Sequence, residues 1–186
     1  MKQKILIVSH CYLNEAVKLK NRSDAERIEE RLVKRSFIRE MITNDIEFIQ
    51  LPCPEFIIYG SRRWGHAASQ FDTPFFRCEA RNMLKPVLMQ IQEYYINPER
   101  FELMGILGIN GSPSCGIDYT YDGDWGGEFT DRDCLNNILG TIHCAYKPGI
   151  FVQVLKEMLA EYQISLPFYS LENLTAVKEL ILKEEE

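Results

Sequence analysis

The fold of this chain is decided by two consecutive pieces of sequence, the apolar run Leu103-Met104-Gly105-Ile106-Leu107-Gly108-Ile109 and the turn Gly111-Ser112-Pro113-Ser114-Cys115-Gly116. The glycines and the proline bracket the cysteine and set an unusual backbone course, while two serine hydroxyls lie beside it. The stretch therefore predicts a buried strand that turns sharply and carries a thiol at the turn.

Two other cysteines follow apolar runs in the same way. Cys11 ends the run over residues 5–10, and Cys53 ends the run over residues 46–52. Both runs suit strands that are buried on both faces of a parallel sheet. Because three strands each deliver a cysteine where they turn into a loop, we expect Cys11, Cys53 and Cys115 to converge on one site.

Strand-like runs alternate with helical patterns along the whole chain. Strands are predicted over residues 4–9, 46–51, 102–109 and 164–168. This alternation predicts an α/β protein, with a single Rossmann-like domain of three layers over residues 1–186. Its sheet is expected to be mostly parallel, with about four strands in the order 2-1-3-4. Ligands of such sheets lie beyond the carboxyl ends of the strands, where the three cysteines are expected.

The helices are predicted from apolar stripes and from their start signals. A capping box at residues 23–26 begins the first long helix, whose predicted stripe is Ile28, Leu32, Val33, Phe37, Ile38, Met41 and Ile42. A second helix begins at Pro74, and Pro86 is expected to kink or split it. The stretches over residues 10–22, 52–72 and 110–148 are predicted to be irregular, with a short helix near 131–139.

Length and charge limit the classes of function. With 186 residues the chain can bury the core of one domain without disulfides. A net charge of −6 argues against a nucleic-acid partner, because duplex binding requires clustered cations. No apolar run approaches the roughly 20 residues that a membrane span needs, and the first residues show no signal-peptide pattern. We therefore expect a cytoplasmic protein with no nucleic-acid or membrane partner, either a monomer or a homodimer.

The six cysteines indicate a metal or catalytic site more than a disulfide framework, since no secretory signal is present. Three thiolates from separate loops can hold zinc and leave one position for water. They can equally hold an iron–sulfur cluster, whose irons are usually bound by thiolates. The spacing matches neither common zinc modules nor ferredoxins, so the residues alone leave both possibilities open.

Three short motifs resemble the thiouracil desulfurase family. They are Ser9-His10-Cys11, Cys53-Pro54-Glu55 and Ser112-Pro113-Ser114-Cys115-Gly116, and the stretches 148–151 and 167–173 also follow the family's ending. The resemblance implies a [4Fe-4S] cluster held by Cys11, Cys53 and Cys115, with a fourth iron that captures the sulfur of a thiocarbonyl. It also implies that Glu55 is the acidic residue and that Ser112 is the active-site serine.

The predicted function is accordingly a cluster-dependent desulfurase that removes sulfur from a small thiolated heterocycle, such as a thiolated nucleobase, and releases sulfide. The stretches 12–14, 56–60 and 117–147 depart from the family pattern, which indicates a divergent branch. Two alternatives remain: a zinc-dependent hydrolase at the same three cysteines, and a non-enzymatic sulfide carrier or sensor that bears the cluster.

Several other residues have two interpretations each. His10 either tunes the cluster by hydrogen bonding or is an ordinary loop histidine. Arg62, Arg63 and Trp64 either contact a planar substrate or lie in a solvated loop. Trp125 and Tyr121 either cover the site or anchor a long loop. Among the remaining cysteines, Cys78 is expected in the core, Cys144 is expected to form a structural pair with His143 rather than a spare ligand pair, and Cys134 has no distinctive context.

Overall fold

The computed structural model describes residues 2–20, 24–128 and 135–182. In these residues the strands are β1 (Gln3–Val8), β2 (Ile46–Gln50), β3 (Phe101–Leu107), β4 (Ile109–Gly111), β5 (Gly116–Asp122), β6 (His143–Ala145) and β7 (Phe168–Tyr169). The helices are α1 (His10–Leu13), α2 (Asp24–Thr43), α3 (Pro54–Tyr59), α4 (Ala68–Phe71), α5 (Pro74–Tyr95), α6 (Leu135–Gly140), α7 (Ile150–Glu161) and α8 (Leu174–Leu182). Single 3-10 turns lie at Glu15–Val17 and Leu171–Asn173.

The main sheet has four strands in the order β2-β1-β3-β7, and every neighbouring pair is parallel. Val8, the last residue of β1, is paired with Gln50 on β2 and with Leu107 on β3. The three long strands therefore end side by side. The predicted α/β class and the predicted strand order are confirmed, although the fourth strand is shorter and begins later than predicted.

Helices cover both faces of this sheet, so the protein has three layers. Ile5 and Ile7 of β1 pack into the core formed with α5 and α7, whereas Leu6 and Val8 pack into the core formed with α2 and α8. All four side chains are buried. The uninterrupted apolar run of β1 is thus explained by alternate side chains that enter two separate cores.

A second sheet occupies much of the stretch over residues 110–148, which was predicted to be irregular. It has the order β4-β5-β6, with β4 and β5 parallel and β5 and β6 antiparallel. That prediction is wrong because β4 and β6 have only three residues each, and because glycine and aspartate interrupt the apolar pattern of β5. Short helices α1, α3 and α4 likewise replace parts of the other two stretches predicted to be irregular.

Two further predictions about the helices are corrected. Helix α5 is not split at Pro86 but continues to Tyr95, and Pro86 and Asn82, whose carbonyl would bond to residue 86, are on the exposed side of the helix. On α2 the N-terminal part of the predicted stripe is exposed, Ile28 and Leu32 included. Phe37 and Met41 of the predicted stripe are buried as expected, and Lys34, which the stripe did not include, is buried with them. Ile42, at the other end of the stripe, is exposed.

A few predictions fall outside the described residues: the capping serine at position 23, Cys134, the start of the short helix near residue 131, and the last residues of the chain. Within the described ranges, no helix combines the length and the apolar character that a membrane span requires.

The turn that carries Cys115 is seated on the N-terminus of α7. The backbone amides of Ile150 and Phe151 donate to the carbonyl oxygens of Pro113 and Ser114, at 3.1 and 3.0 Å. The amide of Gly149 donates to the carbonyl of Gly116 at 2.9 Å. The first amides of a helix have no intrahelical partner, so the turn satisfies α7 and α7 holds the turn in place.

This contact requires glycine at position 149. A Cβ there would lie 2.5 Å from the carbonyl oxygen of Ser114 and 2.9 Å from the amide nitrogen of Cys115. Both contacts are with backbone atoms, which cannot rotate away as a side chain can. The absence of a side chain at Gly149 therefore allows the closest approach between α7 and the turn.

We predict that Gly149→Ala lowers the free energy of unfolding by about 1–3 kcal/mol, because the added methyl group forces the turn away from α7. Chemical denaturation followed by circular dichroism measures the change. Gly140→Ala is the matched control, since no heavy atom lies within 4 Å of a Cβ built at Gly140. Equal stability of the two variants would contradict the close packing described above.

Candidate active site at the carboxyl ends of the strands

The structure brings the three cysteines of the sequence prediction to one cavity. Cys11 lies in α1 directly after β1, Cys53 precedes the first residue of α3 after β2, and Cys115 lies in the turn between β4 and β5. All three line a cavity of about 510 Å³ at the carboxyl ends of the strands. Glu55 and Ser112 line the same cavity, so every predicted site residue is found there.

Burial disfavours the charged form of these thiols. It raises the pKa of Cys11 and Cys53, and it raises the pKa of Cys115 well above the usual value for cysteine. Negative charge on Glu55 and on the other two thiols raises the pKa of Cys115 further, whereas Lys34 and Lys18 act in the opposite direction on Cys11. A cationic group in the cavity would therefore compete with protons for all three sulfurs.

Glu55 is a buried carboxylate with partners on both oxygens. Its Oε1 accepts a hydrogen bond of 2.6 Å from the hydroxyl of Ser114 and lies 3.4 Å from the hydroxyl of Ser112. Its Oε2 accepts a bond of 3.2 Å from Nε of Arg63. The position of Glu55 in the first turn of α3, two residues after Cys53, is what aims it at the turn that carries Cys115.

Arg63 holds this carboxylate and ties three segments together. Its side chain is only 5% exposed. Besides Glu55, its guanidinium donates to the carbonyl of Val17 at 2.7 Å and to the carbonyl of Gly60 at 3.1 Å. Arg63 thus fixes the wall of the cavity, and the interpretation of this residue as part of a solvated loop is wrong.

The two serines of the turn form a short hydroxyl chain beside Cys115. The backbone amide of Cys115 donates to Oγ of Ser112 at 3.0 Å, and the two hydroxyl oxygens are 3.3 Å apart. Oγ of Ser114 lies 3.4 Å from the sulfur of Cys115. Ser114 lies closer to Glu55 than Ser112 does. No role was assigned to Ser114 from the sequence, although its position beside Cys115 in the motif could have indicated one.

A group of paired charges behind Cys11, with a buried lysine at its centre, was also missed. Lys34 is fully buried, and its ammonium donates to the backbone carbonyl of Cys11 at 3.1 Å. It also pairs with Glu15 and with Glu30, which in turn pairs with Lys18. In the sequence, Lys34 is one charge among many on a helix, so nothing marked it as a residue of the site.

The remaining candidates separate by position. His10 lines the cavity, whereas Trp64 is 72% exposed and neither it nor Arg62 is among the residues described as lining the cavity. The indole of Trp125 donates to the carbonyl of Gly65 at 2.8 Å, which supports its interpretation as a loop anchor. Tyr121 is exposed and does not line the cavity either.

Cys78 and Cys144 are exposed and lie outside the cavity. The prediction that Cys78 packs in the core is wrong, because Phe76 and Ala80 form the buried face of α5 and position 78 points away from it. None of the five cysteines that the structure describes forms a disulfide. Among the described ranges, no group of three His, Cys, Asp or Glu side chains is arranged to hold a metal ion.

We predict that Arg63→Met destabilises the fold by about 3–5 kcal/mol, because it leaves Glu55 buried without its cationic partner. Thermal and urea unfolding measure the loss. Arg81→Met is the control, since Arg81 pairs with Glu161 on the exposed surface and its removal is expected to change stability little. A loss no larger for Arg63 than for Arg81 would show that the buried pair does not stabilise this wall.

Comparison with known proteins identifies a relative of this chain among curated proteins. The chain is 32% identical, over 115 residues, to the uncharacterized protein MJ0003 of Methanocaldococcus jannaschii. The matched region covers 62% of this chain and 69% of that protein. No family profile matches the sequence, and no solved structure matches it. By this identity and coverage, the chain belongs to the same family as the uncharacterized protein MJ0003.

Proposed function

We propose that the protein is a desulfurase that removes sulfur from a small thiolated heterocycle, such as a thiolated nucleobase, at a [4Fe-4S] cluster bound by Cys11, Cys53 and Cys115. The observation that carries the proposal is the composition of the 510 Å³ cavity, which is lined by three thiols from three separate segments, a buried carboxylate and a pair of hydroxyls. The resemblance of the three motifs to thiouracil desulfurases adds the class of reaction.

The donor set by itself suits either a cluster or a single ion. Three thiols line the cavity, and three thiolates can bind either one zinc ion or three irons of a [4Fe-4S] cluster. We prefer the cluster over the zinc-dependent hydrolase, which is the alternative at the same residues, because the motifs that carry the three cysteines resemble those of thiouracil desulfurases.

When bound, the cluster supplies a Lewis-acidic iron without a protein ligand, which polarises a C=S bond and accepts the sulfur as sulfide. Overall, the C=S group and water become a C=O group and hydrogen sulfide, with no net transfer of electrons. The chain itself must then bind the heterocycle, place the attacking water and move protons.

Glu55 is placed for the proton transfers. Arg63 occupies Oε2, so Oε1 is the oxygen that faces the two serine hydroxyls. A proton released by water at Ser112 has a path to Oε1, either directly or through Ser114. From there it can return to a ring nitrogen of the product, which is general acid–base catalysis by one carboxylate.

Ser112 is placed to orient the substrate or the water. Its Oγ accepts the amide proton of Cys115 and donates its own proton toward Oε1 of Glu55, so one lone pair is available to a bound molecule. The bond from the amide also fixes the direction of the hydroxyl relative to a proposed cluster ligand. Because Ser112 and the three proposed cluster ligands line the same cavity, the expected substrate is a small molecule that contacts Ser112 and the cluster together. Such a site requires reduced thiols, which is consistent with a cytoplasmic location.

Purified without oxygen, the protein is expected to be brown and to contain about four irons per chain. Cys115→Ala is expected to lose the iron and the release of sulfide from 2-thiouracil, because a ligand is removed. Cys78→Ala is the matched control, since Cys78 is exposed and outside the cavity. Colourless protein that contains only zinc would support the hydrolase instead, and iron binding without turnover would support the carrier or sensor.

A second prediction separates catalysis from cluster binding. Glu55→Gln and Ser112→Ala are expected to keep the iron content and to lower kcat for sulfide release, by on the order of 100- to 10,000-fold for Glu55→Gln. The reason is that neither residue is a proposed ligand, while both lie at the proposed path of the proton. Iron analysis and methylene-blue assay of sulfide measure the two effects. Full activity of Glu55→Gln would exclude a role for this carboxylate in proton transfer.

A further inference from the structure

Lys34 is a lysine in a position where a core residue would be expected. Its side chain is 0% exposed, and it lies on the same buried face of α2 as Phe37 and Met41. Removing an ammonium group from water is costly unless nearby groups compensate it. A buried lysine at this position therefore needs partners that offset the loss of hydration, and the identity of these partners shows which part of the protein the ammonium group stabilises.

The three donors of the ammonium have partners around Cys11. Nζ donates to the carbonyl oxygen of Cys11 at 3.1 Å, lies 3.2 Å from Oε1 of Glu30, and pairs with Oε1 of Glu15. It also lies 5.8 Å from the centre of the Tyr12 ring. The bond to Cys11 spans 23 residues of sequence and joins α2 to the first turn after β1.

Lys34 belongs to a group of five charged residues that are linked by ion pairs. Glu30 also pairs with Lys18, and Glu15 lies 4.0 Å from Nε of Arg31. Three cations, Lys34 included, thus share two carboxylates. The only fully buried member of the five is Lys34, so its charge is the one that lies in a region of low dielectric, bound to the backbone of Cys11.

We propose that Lys34 is a positioning residue for Cys11, which fixes the backbone of that thiol and supplies a buried positive charge that offsets the negative charge of the thiolates and the cluster they bind. This inference rests on the proposed function, because it assigns Lys34 to the same site. It explains why a charged residue is retained at a core position of α2, where an apolar residue would pack at lower cost.

The test compares Lys34→Met with Lys85→Met, which removes the same charge from an exposed position on α5. In the iron-loaded protein we expect Lys34→Met to shift the reduction potential of the cluster to a more negative value, since loss of a nearby buried cation disfavours the added electron. Lys85→Met is expected to leave the potential unchanged. Lys34→Arg retains the charge and is expected to return the potential toward that of the wild type.

A second readout needs no cluster. In the iron-free protein, amide hydrogen exchange over residues 11–14 is expected to be faster in Lys34→Met than in Lys85→Met, because the bond to the carbonyl of Cys11 is lost. Should Lys34→Met unfold because Glu15 becomes unpaired, the double variant Lys34→Met/Glu15→Gln removes both charges and allows the same measurements.

The outcomes separate the two proposals. Protein that binds no iron under anaerobic conditions refutes the proposed function, and hydrogen exchange in the iron-free chain then decides whether Lys34 positions Cys11. Protein that binds iron and releases sulfide, but whose potential and exchange rates are unchanged in Lys34→Met, upholds the proposed function and overturns the assignment of Lys34.

Discussion

The site depends on one contact, the seating of the turn that carries Cys115 on the first amides of α7. Gly149 allows the two backbones to touch, and the carbonyl oxygens of Pro113 and Ser114 satisfy the amides of Ile150 and Phe151. Helix α7 is itself packed into the core beneath β1 and β3. The turn is therefore attached to a helix whose apolar face is buried in the core, and this attachment fixes the backbone that carries the serine hydroxyls and the thiol.

Two residues that line the cavity near this turn are bound by buried cations. Arg63 pairs with Glu55, and Lys34 binds the backbone carbonyl of Cys11, so two of the predicted site residues have a buried cation as a direct neighbour. Both cations also bind backbone carbonyls, which makes them structural as well as electrostatic components. Such an arrangement is typical of a site whose reacting groups must keep their positions while the charge nearby changes.

Much of the fold and part of the site could be predicted from the sequence. The apolar runs that end in Cys11 and Cys53 identified two strands, and parallel topology then placed both thiols at one edge. Glu55 was found because it follows Cys53 by two residues. Ser114 and Lys34 were not found, because their roles come from distances to residues far away in sequence. The second sheet was missed because β4 and β6 have only three residues each and because β5, with seven, contains glycine and aspartate, which are uncommon in strands.

By itself, the sequence determined that strands and helices alternate, which strands are buried on both faces, and that three cysteines lie at the ends of strands. These properties follow from local patterns of apolar, glycine and proline residues. Only the tertiary structure decided that Lys34, rather than an apolar residue, lies on the buried face of α2, and that the side chain of Arg63 points inward to Glu55. The physical reason is that the burial of a charge is favourable only with its partners, and those partners lie on other elements of the fold.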